Sequence, residues 1–401
     1  MEVNIVKGSK VYGGIDNFRV IFRKESKHEK ERDRSWIEIN TDNLKYNAKL
    51  LSSLMQPGCE MMAVVKANAY GHGAVRVSKC LNTIGVKSFA VATIDEGIEL
   101  RKNGIRGEIL VLGYTDQSRV NELHHYQLIQ TVIDYEYAIM LSDFNKSLKV
   151  HIKVDTGMHR LGLPSEAVNQ IKEIFCLEGL KVCGIYTHLC VADSMDKEDV
   201  KFTWNQIEDF YYLLRQLEKL GVVIPKIHIQ SSYGLLNYPE LQCDYARIGI
   251  ALYGSLSTQG DPTKLTADLR PVLSLKSRIA MIREISAGES VGYGRDYQLT
   301  RDSRVAVIPI GYADGLPRSL SDGFGRVLVK GNQVSMIGRI CMDQLLIDIT
   351  DIQGINKGDI VTLIGEDGTE EIAAVNVAKS AGSITNELFS RLGNRMERIY
   401  L

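Results

Sequence analysis

Between residues 43 and 270 short apolar, β-rich runs recur at 61–66, 88–93, 108–112, 128–133, 149–154, 182–187, 226–230 and 245–252. Segments with helical periodicity fill most of the gaps. Parallel neighbours need a crossover of a dozen or more residues, usually a helix, so eight such units predict a (β/α)8 barrel of the TIM type. Asp42 is expected to cap the first helix, which carries Leu44, Leu50, Leu51 and Leu54. Pro164-Ser165-Glu166 is expected to open another, with Ile171, Ile174 and Phe175 on one face. The longest runs from Trp204 to Leu220, with Ile207, Phe210, Tyr211, Leu214, Leu217 and Leu220 at helical spacing, and its aromatics read as core. A doubly wound sheet is the rival architecture, but no Gly-x-Gly-x-x-Gly follows a strand.

After residue 270 the texture changes. Strand-like runs at 273–285, 304–310, 326–330, 333–337, 345–349 and 359–364 alternate with Gly and Asp turns, which predicts a separate, mainly-β C-terminal domain. The expected α/β organisation is a leader and charged linker over 1–34, a barrel over 35–270 and a β domain over 271–401. Formal net charge is -1 and charged residues make up 24%, so no global field favours nucleic acid or an anionic surface. The 7 cysteines form no CxxC pair and no metal-ligand spacing, which points to a reducing, cytoplasmic setting. No apolar run reaches the ~18 residues of a membrane span.

Chemistry in a parallel barrel collects at the carboxyl ends of the strands. Lys66 ends the first run, followed by Tyr70 and by Gly71 and Gly73, which are expected to let the backbone pass close to a ligand. A lysine there suits a bond to an aldehyde cofactor; the alternative is a solvated lysine before a surface turn. Asp155 and Arg160 follow the fifth run, and on their own read as a loop ion pair. Thr187-His188 follows the sixth, His228-Ile-Gln-Ser-Ser the seventh, and Arg247-Ile-Gly-Ile the eighth.

The string Lys66-Ala-Asn-Ala-Tyr-Gly-His-Gly resembles the pyridoxal-phosphate lysine motif of the alanine racemase family, fold-type III enzymes, including the serine/alanine racemases of vancomycin resistance. Lys153-Val-Asp-Thr-Gly-Met-His-Arg-Leu-Gly, Val291-Gly-Tyr-Gly-Arg, Gly311-Tyr-Ala-Asp-Gly-Leu-Pro-Arg and Cys341-Met-Asp-Gln are similar to further family motifs, in order, and the likeness extends from about residue 35 to 401. The resemblance implies that Lys66 carries pyridoxal 5'-phosphate, that Tyr70, Ser231 and the amides of Gly249 and Ile250 meet its phosphate, that His188 lies beside its ring, and that Arg247 faces its ring nitrogen. An arginine there cannot accept a proton, because its pKa exceeds about 12, so simple proton exchange at Cα is favoured over transamination. Arg160 is implied near the substrate carboxylate, held by a carbamylated Lys153. Lys66 and Tyr293, the latter from the other subunit of a homodimer, are implied as the two bases of racemisation. Tyr312, Met342 and Asp343 are implied at the substrate entry, and no metal is implied. His159 departs from the family's small residue, and Gln230 from its asparagine.

One departure bears on substrate. Where the family has Pro-Tyr-Glu, this chain has Thr385-Asn386-Glu387. Asparagine is smaller and offers both a donor and an acceptor, which leaves room for L-serine beside L-alanine. Residues 10–21 resemble the start of the membrane domain that precedes the racemase domain in vancomycin-resistance proteins, which implies a deleted membrane region, a membrane-anchored parent, and D-serine supplied to peptidoglycan precursors. The alternatives are a housekeeping alanine racemase and a non-catalytic pyridoxal-phosphate carrier.

Overall fold

The computed structural model describes residues 34–144 and 147–401. Apart from Arg34, the expected leader and linker lie outside the described residues. The first strand is β1 (Ser35–Ile39). Eight more follow as β2 (Glu60–Val64), β3 (Ser88–Val91), β4 (Glu108–Val111), β5 (Ile129–Val132), β6 (Leu148–Asp155), β7 (Leu180–Tyr186), β8 (Lys226–His228) and β9 (Tyr245–Ile248). Strands β2 to β9 coincide, within a few residues, with the eight apolar runs. They pair in parallel in the order β9-β2-β3-β4-β5-β6-β7-β8. The ring nearly closes between β8 and β9, where Asp244 N–H donates to Ile227 O (2.8 Å) and Arg247 N–H to Gln230 O (3.0 Å).

Alternation along the strands sorts their side chains. Met62, Val64, Ala90, Leu110, Ile129 and Tyr245 form one buried cluster. Met61, Ala63, Phe89, Val91, Ile109 and Val111 join the larger core beneath the helices. Within the long helix Lys197–Lys219, Ile207, Phe210, Leu214 and Leu217 are buried, and Leu213 joins them. Two helix starts differ from the sequence reading. Asn40, not Asp42, caps Thr41–Ser53, its side chain accepting from the amides of Asp42 and Asn43. The helix after Pro164 begins only at Val168, because Leu163–Pro164 pairs with the end of β6.

The remaining strands build a second sheet. Leu273–Arg278 lies beside β1 in antiparallel pairing, and Glu397–Tyr400 lies on the other side of β1 in parallel. The segment from residue 35, counted with the barrel on sequence, is therefore hydrogen-bonded into the β sheet at Ser35–Ile39. This places the last strand beside the entrance to the barrel: Tyr400 Oη donates to His72 O (3.1 Å) and Arg398 Nε to Gly71 O (2.7 Å). Among the described residues no helix is long and apolar enough to cross a membrane.

Candidate active site

Strand β2 delivers the chain to Lys66, and the backbone then turns left-handed. Ala67, Asn68, Ala69 and Tyr70 have φ of 51°, 54°, 54° and 51°. Left-handed helix costs an L-residue roughly 1–2 kcal/mol, so the surroundings must impose it. Glu96 Oε1 accepts from Ala67 N–H (2.6 Å), and Asn68 Oδ1 from Ala74 N–H (2.8 Å). The buried His72 donates through Nδ1 to Ala69 O (3.0 Å) and Tyr70 O (2.9 Å), and burial pushes its pKa down to about 4. Gly71 and Gly73 do not face a ligand as expected. A Cβ on Gly71 would collide with Phe389 O, and one on Gly73 with the Tyr400 hydroxyl. These glycines admit the second domain against the lysine turn.

Ten of the residues singled out on sequence line one cavity of about 310 Å³: Lys66, Tyr70, Lys153, Arg160, His188, Ser231, Arg247, Gly249, Ile250 and Asn386. It opens at the carboxyl ends of the strands. Burial, and then the charge of Arg160, hold the Lys66 amine below the usual lysine value. Burial drives Lys153 further, down to about 7, with Arg247 adding to the effect. Its Nζ donates to Val154 O (2.5 Å). Arg160 itself sits exposed at the mouth.

Arg247 crosses the floor. It donates to Thr187 O (2.7 Å), His188 Nδ1 (3.3 Å) and His228 Nδ1 (3.0 Å). Arginine has no acceptor, so this last bond makes His228 Nδ1 an acceptor and leaves the proton on Nε2. His228 Nε2–H then donates to His151 Nδ1 at 2.9 Å. Both rings are neutral: burial holds His228 well below the ordinary histidine value and His151 at about 3. Tyr186 stacks on His228, with centroids 4.4 Å apart, and the Arg247 guanidinium lies 5.0 Å from the Tyr186 ring centroid.

At the opposite end Ser232 Oγ accepts from the amides of Gly249 (3.1 Å) and Ala251 (3.3 Å). Ser231 caps the short helix Ser232–Asn237, accepting from Gly234 N–H. A Cβ on Gly249 would stand 2.7 Å from the Tyr70 hydroxyl, so only glycine allows the tyrosine to lie over this loop. Hydroxyls and main-chain amides gathered against a cationic floor suit a phosphate. With Lys66 across the cavity, the residues present fit a phosphorylated aldehyde cofactor. The Oδ1 of Asn386 is buried at the cavity wall without a hydrogen-bond partner.

Tyr293, Met342 and Asp343 do not line this cavity in the same chain. They border a separate surface hollow of about 430 Å³, and Tyr293 is 69% exposed. Tyr312 joins them through its amide, which donates to Cys341 O (3.1 Å). The sequence reading missed His151, Tyr186, Ser232 and the Glu96 brace, and it gave no role to His228. His228 and Ser232 were within reach, as the first and last residues of a motif already marked; the others read as ordinary strand or helix residues.

The fold and cavity define a class: barrel enzymes that carry a mainly-β domain and bind their ligand at the strand carboxyl ends. The alanine racemase N-terminal domain family matches residues 39–257, and the alanine racemase C-terminal domain family residues 272–400. An amino-acid racemase of Enterococcus faecalis is 51% identical over 94% of this chain and 53% of its own length. The serine/alanine racemase of Enterococcus gallinarum is 40% identical over 90% of this chain and 50% of its own. The chain thus spans about half the length of these curated relatives. The solved alanine racemase of Clostridium difficile 630 superposes with a TM-score of 0.87 at 36% identity, covering 92% of this chain and 96% of that one. The chain belongs to the alanine racemase family.

Proposed function

We propose that this chain is a pyridoxal-phosphate-dependent amino-acid racemase that acts as a homodimer on alanine and serine. The observation that carries this is Lys66, strained onto the cavity by its left-handed turn, with its amine held below the usual value between Arg160 and a buried wall. Bound through Lys66, the cofactor supplies an electron-withdrawing ring that acidifies the substrate Cα–H. The chain's own groups do the rest. Arg160 orients the substrate carboxylate at the mouth. Ser231, Tyr70 and the main chain at Gly249 and Ile250 would hold the phosphate, with Ser232 bracing that loop through the Gly249 and Ala251 amides. Arg247, held by His188 and His228, would meet the ring nitrogen as a group that cannot take up a proton.

Racemisation needs a base on each face of a planar carbon, one to take the proton and one to return it. A neutral Lys66 amine serves one face. Tyr293 of the partner subunit serves the other, which accounts for its exposure in the single chain. A carbamate on Lys153 would place an anion beside Arg160 and Arg247, and the low pKa of that amine supports its formation.

The unpartnered Oδ1 of Asn386 is an acceptor for the hydroxyl of serine. A site built to bond a hydroxyl discriminates far better than one that only makes room. D-Serine made here would enter cell-wall precursors, the role expected in vancomycin resistance. The test is chiral turnover of L-serine and L-alanine by the parent chain and by Asn386→Tyr. Serine turnover should fall at least about tenfold relative to alanine; an unchanged serine-to-alanine ratio would remove Asn386 from the account and leave an alanine racemase.

A further inference from the structure

At the other end of the barrel, Cys59 immediately precedes β2 and Cys243 lies two residues before β9. These are the first and last strands of the ring, paired from Glu60 opposite Tyr245. Glu60 N–H donates to Asp244 O at 2.8 Å, fixing the two backbones at this point. The two Sγ atoms are 3.5 Å apart. A disulfide bond is about 2.05 Å long, so a combined movement of about 1.5 Å would bond them. Both cysteines are partly exposed, and reagents can reach them from solvent.

The pair is also chemically asymmetric. Cys59 S–H donates toward Cys243, whose own S–H donates to the buried Gln230 Oε1 at 3.3 Å. Donation from Cys59, and then the positive charge of Arg247, hold the Cys243 thiol below the usual value, whereas Cys59 is pushed up by the same bond and by burial. Burial pushes Cys80, Cys183, Cys190 and Cys341 up as well. Thiolate, not thiol, is the attacking form.

We propose that Cys59 and Cys243 form a reversible disulfide that staples the seam between the first and last barrel strands. The oxidant is a low-molecular-weight disulfide of the glutathione type. Cys243 thiolate attacks one sulfur of that disulfide, breaks its S–S bond and expels one small thiolate, which takes up the proton Cys243 lost. Cys59 thiolate then attacks the Cys243 sulfur of the mixed adduct, and the second small thiol leaves with the proton from Cys59. Two cysteine thiols are oxidised and one small disulfide is reduced to two thiols. The cross-link closes a loop that contains most of the barrel, where cross-links restrict the unfolded chain most. The inference rests on the sulfur geometry and is independent of the racemase reading.

The full chain is incubated with oxidised glutathione and digested without reductant, and its peptides are mapped by mass. The expected product is a linked pair of peptides, containing Cys59 and Cys243, that has lost two hydrogens and is restored by dithiothreitol. The oxidised chain should melt at least about 5 °C higher. Cys59→Ser should accumulate a stable mixed adduct on Cys243, because the resolving thiol is gone; Cys243→Ser should leave Cys59 unmodified under the same conditions. Recovery of Cys59 and Cys243 as unlinked peptides from the parent chain would overturn the proposal, as would equal adduct formation at Cys59 in Cys243→Ser.

Discussion

Replacing Lys153 by methionine should change how stability depends on pH, and the structure sets both sign and size. The amine is buried against Tyr186 and close to two guanidinium groups, and its pKa falls from 10.5 to about 7. Above the unfolded value both states hold a neutral amine and there is no penalty. As pH falls from about 10.5 to about 7 the unfolded chain takes up a proton that the folded chain refuses, so stability drops across this window and is flat below it. One pKa unit is worth about 1.4 kcal/mol, which gives about 3–5 kcal/mol over the window. Methionine fills similar space without a charge. It also leaves Val154 O without the Nζ–H donor, which offsets about 1 kcal/mol. Urea denaturation of both proteins in carbon-dioxide-free buffer, from about pH 7 to about pH 10, reads the difference. The variant should be the more stable by about 2–4 kcal/mol near neutrality, with the gap closing toward pH 10. Other titrating groups cancel in the comparison. Parallel stability curves would refute the reasoning. Bicarbonate added near neutrality should stabilise the parent and not the variant, because carbamylation turns the misplaced cation into an anion between arginines.

Three further outcomes are expected. Gly249→Ala should weaken cofactor retention at least about tenfold in spectroscopic titration, because its Cβ would stand 2.7 Å from the Tyr70 hydroxyl and such a contact forces one of them aside; unchanged retention would show that the phosphate end tolerates the shift. Mixing Lys66→Ala with Tyr293→Phe, each inactive alone, should recover about a quarter of the parent's activity, since half of the dimers are mixed and one of their two sites is intact; no recovery would mean that the two residues do not complement across an interface. Arg398→Ala removes the guanidinium that donates to the carbonyls of Gly71, Leu392, Gly393 and Met396, and should lower both kcat and, by about 1–3 kcal/mol, global stability; an unchanged kcat in the folded variant would show that the lysine turn holds its shape without this side chain.

Much of this molecule could be read from its sequence, for local reasons. The barrel strands are short apolar runs bounded by turns, and alternation with helices restricts how they can pair. Lys66, Arg160, His188 and Arg247 were locatable because a parallel barrel gathers its strand ends on one face. What escaped depends on distant or unusual backbone. Nothing in Ser35–Ile39 says that it pairs with residues 273–278 and 397–400, since sheet pairing across the whole chain leaves no local mark. Ala67, Asn68 and Ala69 are unremarkable in composition, and their left-handed turn is held by His72 just after it and by Glu96 and Arg398 from elsewhere. His151 looks like an isolated strand histidine, and His228 has no evident role within its motif, until Arg247 bonds His228 and through it fixes the protons of both rings. Tyr293 and Tyr312 sit in turns of the β domain, and nothing local marks them off from ordinary hairpin residues.

The most direct measurement is the conversion of L-alanine and L-serine in deuterium oxide by the cofactor-loaded chain, followed by chiral separation and mass analysis, beside Lys66→Ala. Two-base exchange at Cα requires the D-product to carry deuterium at that carbon, and requires turnover to vanish in Lys66→Ala. D-product formed without solvent deuterium, or turnover that persists without Lys66, would contradict the central claim.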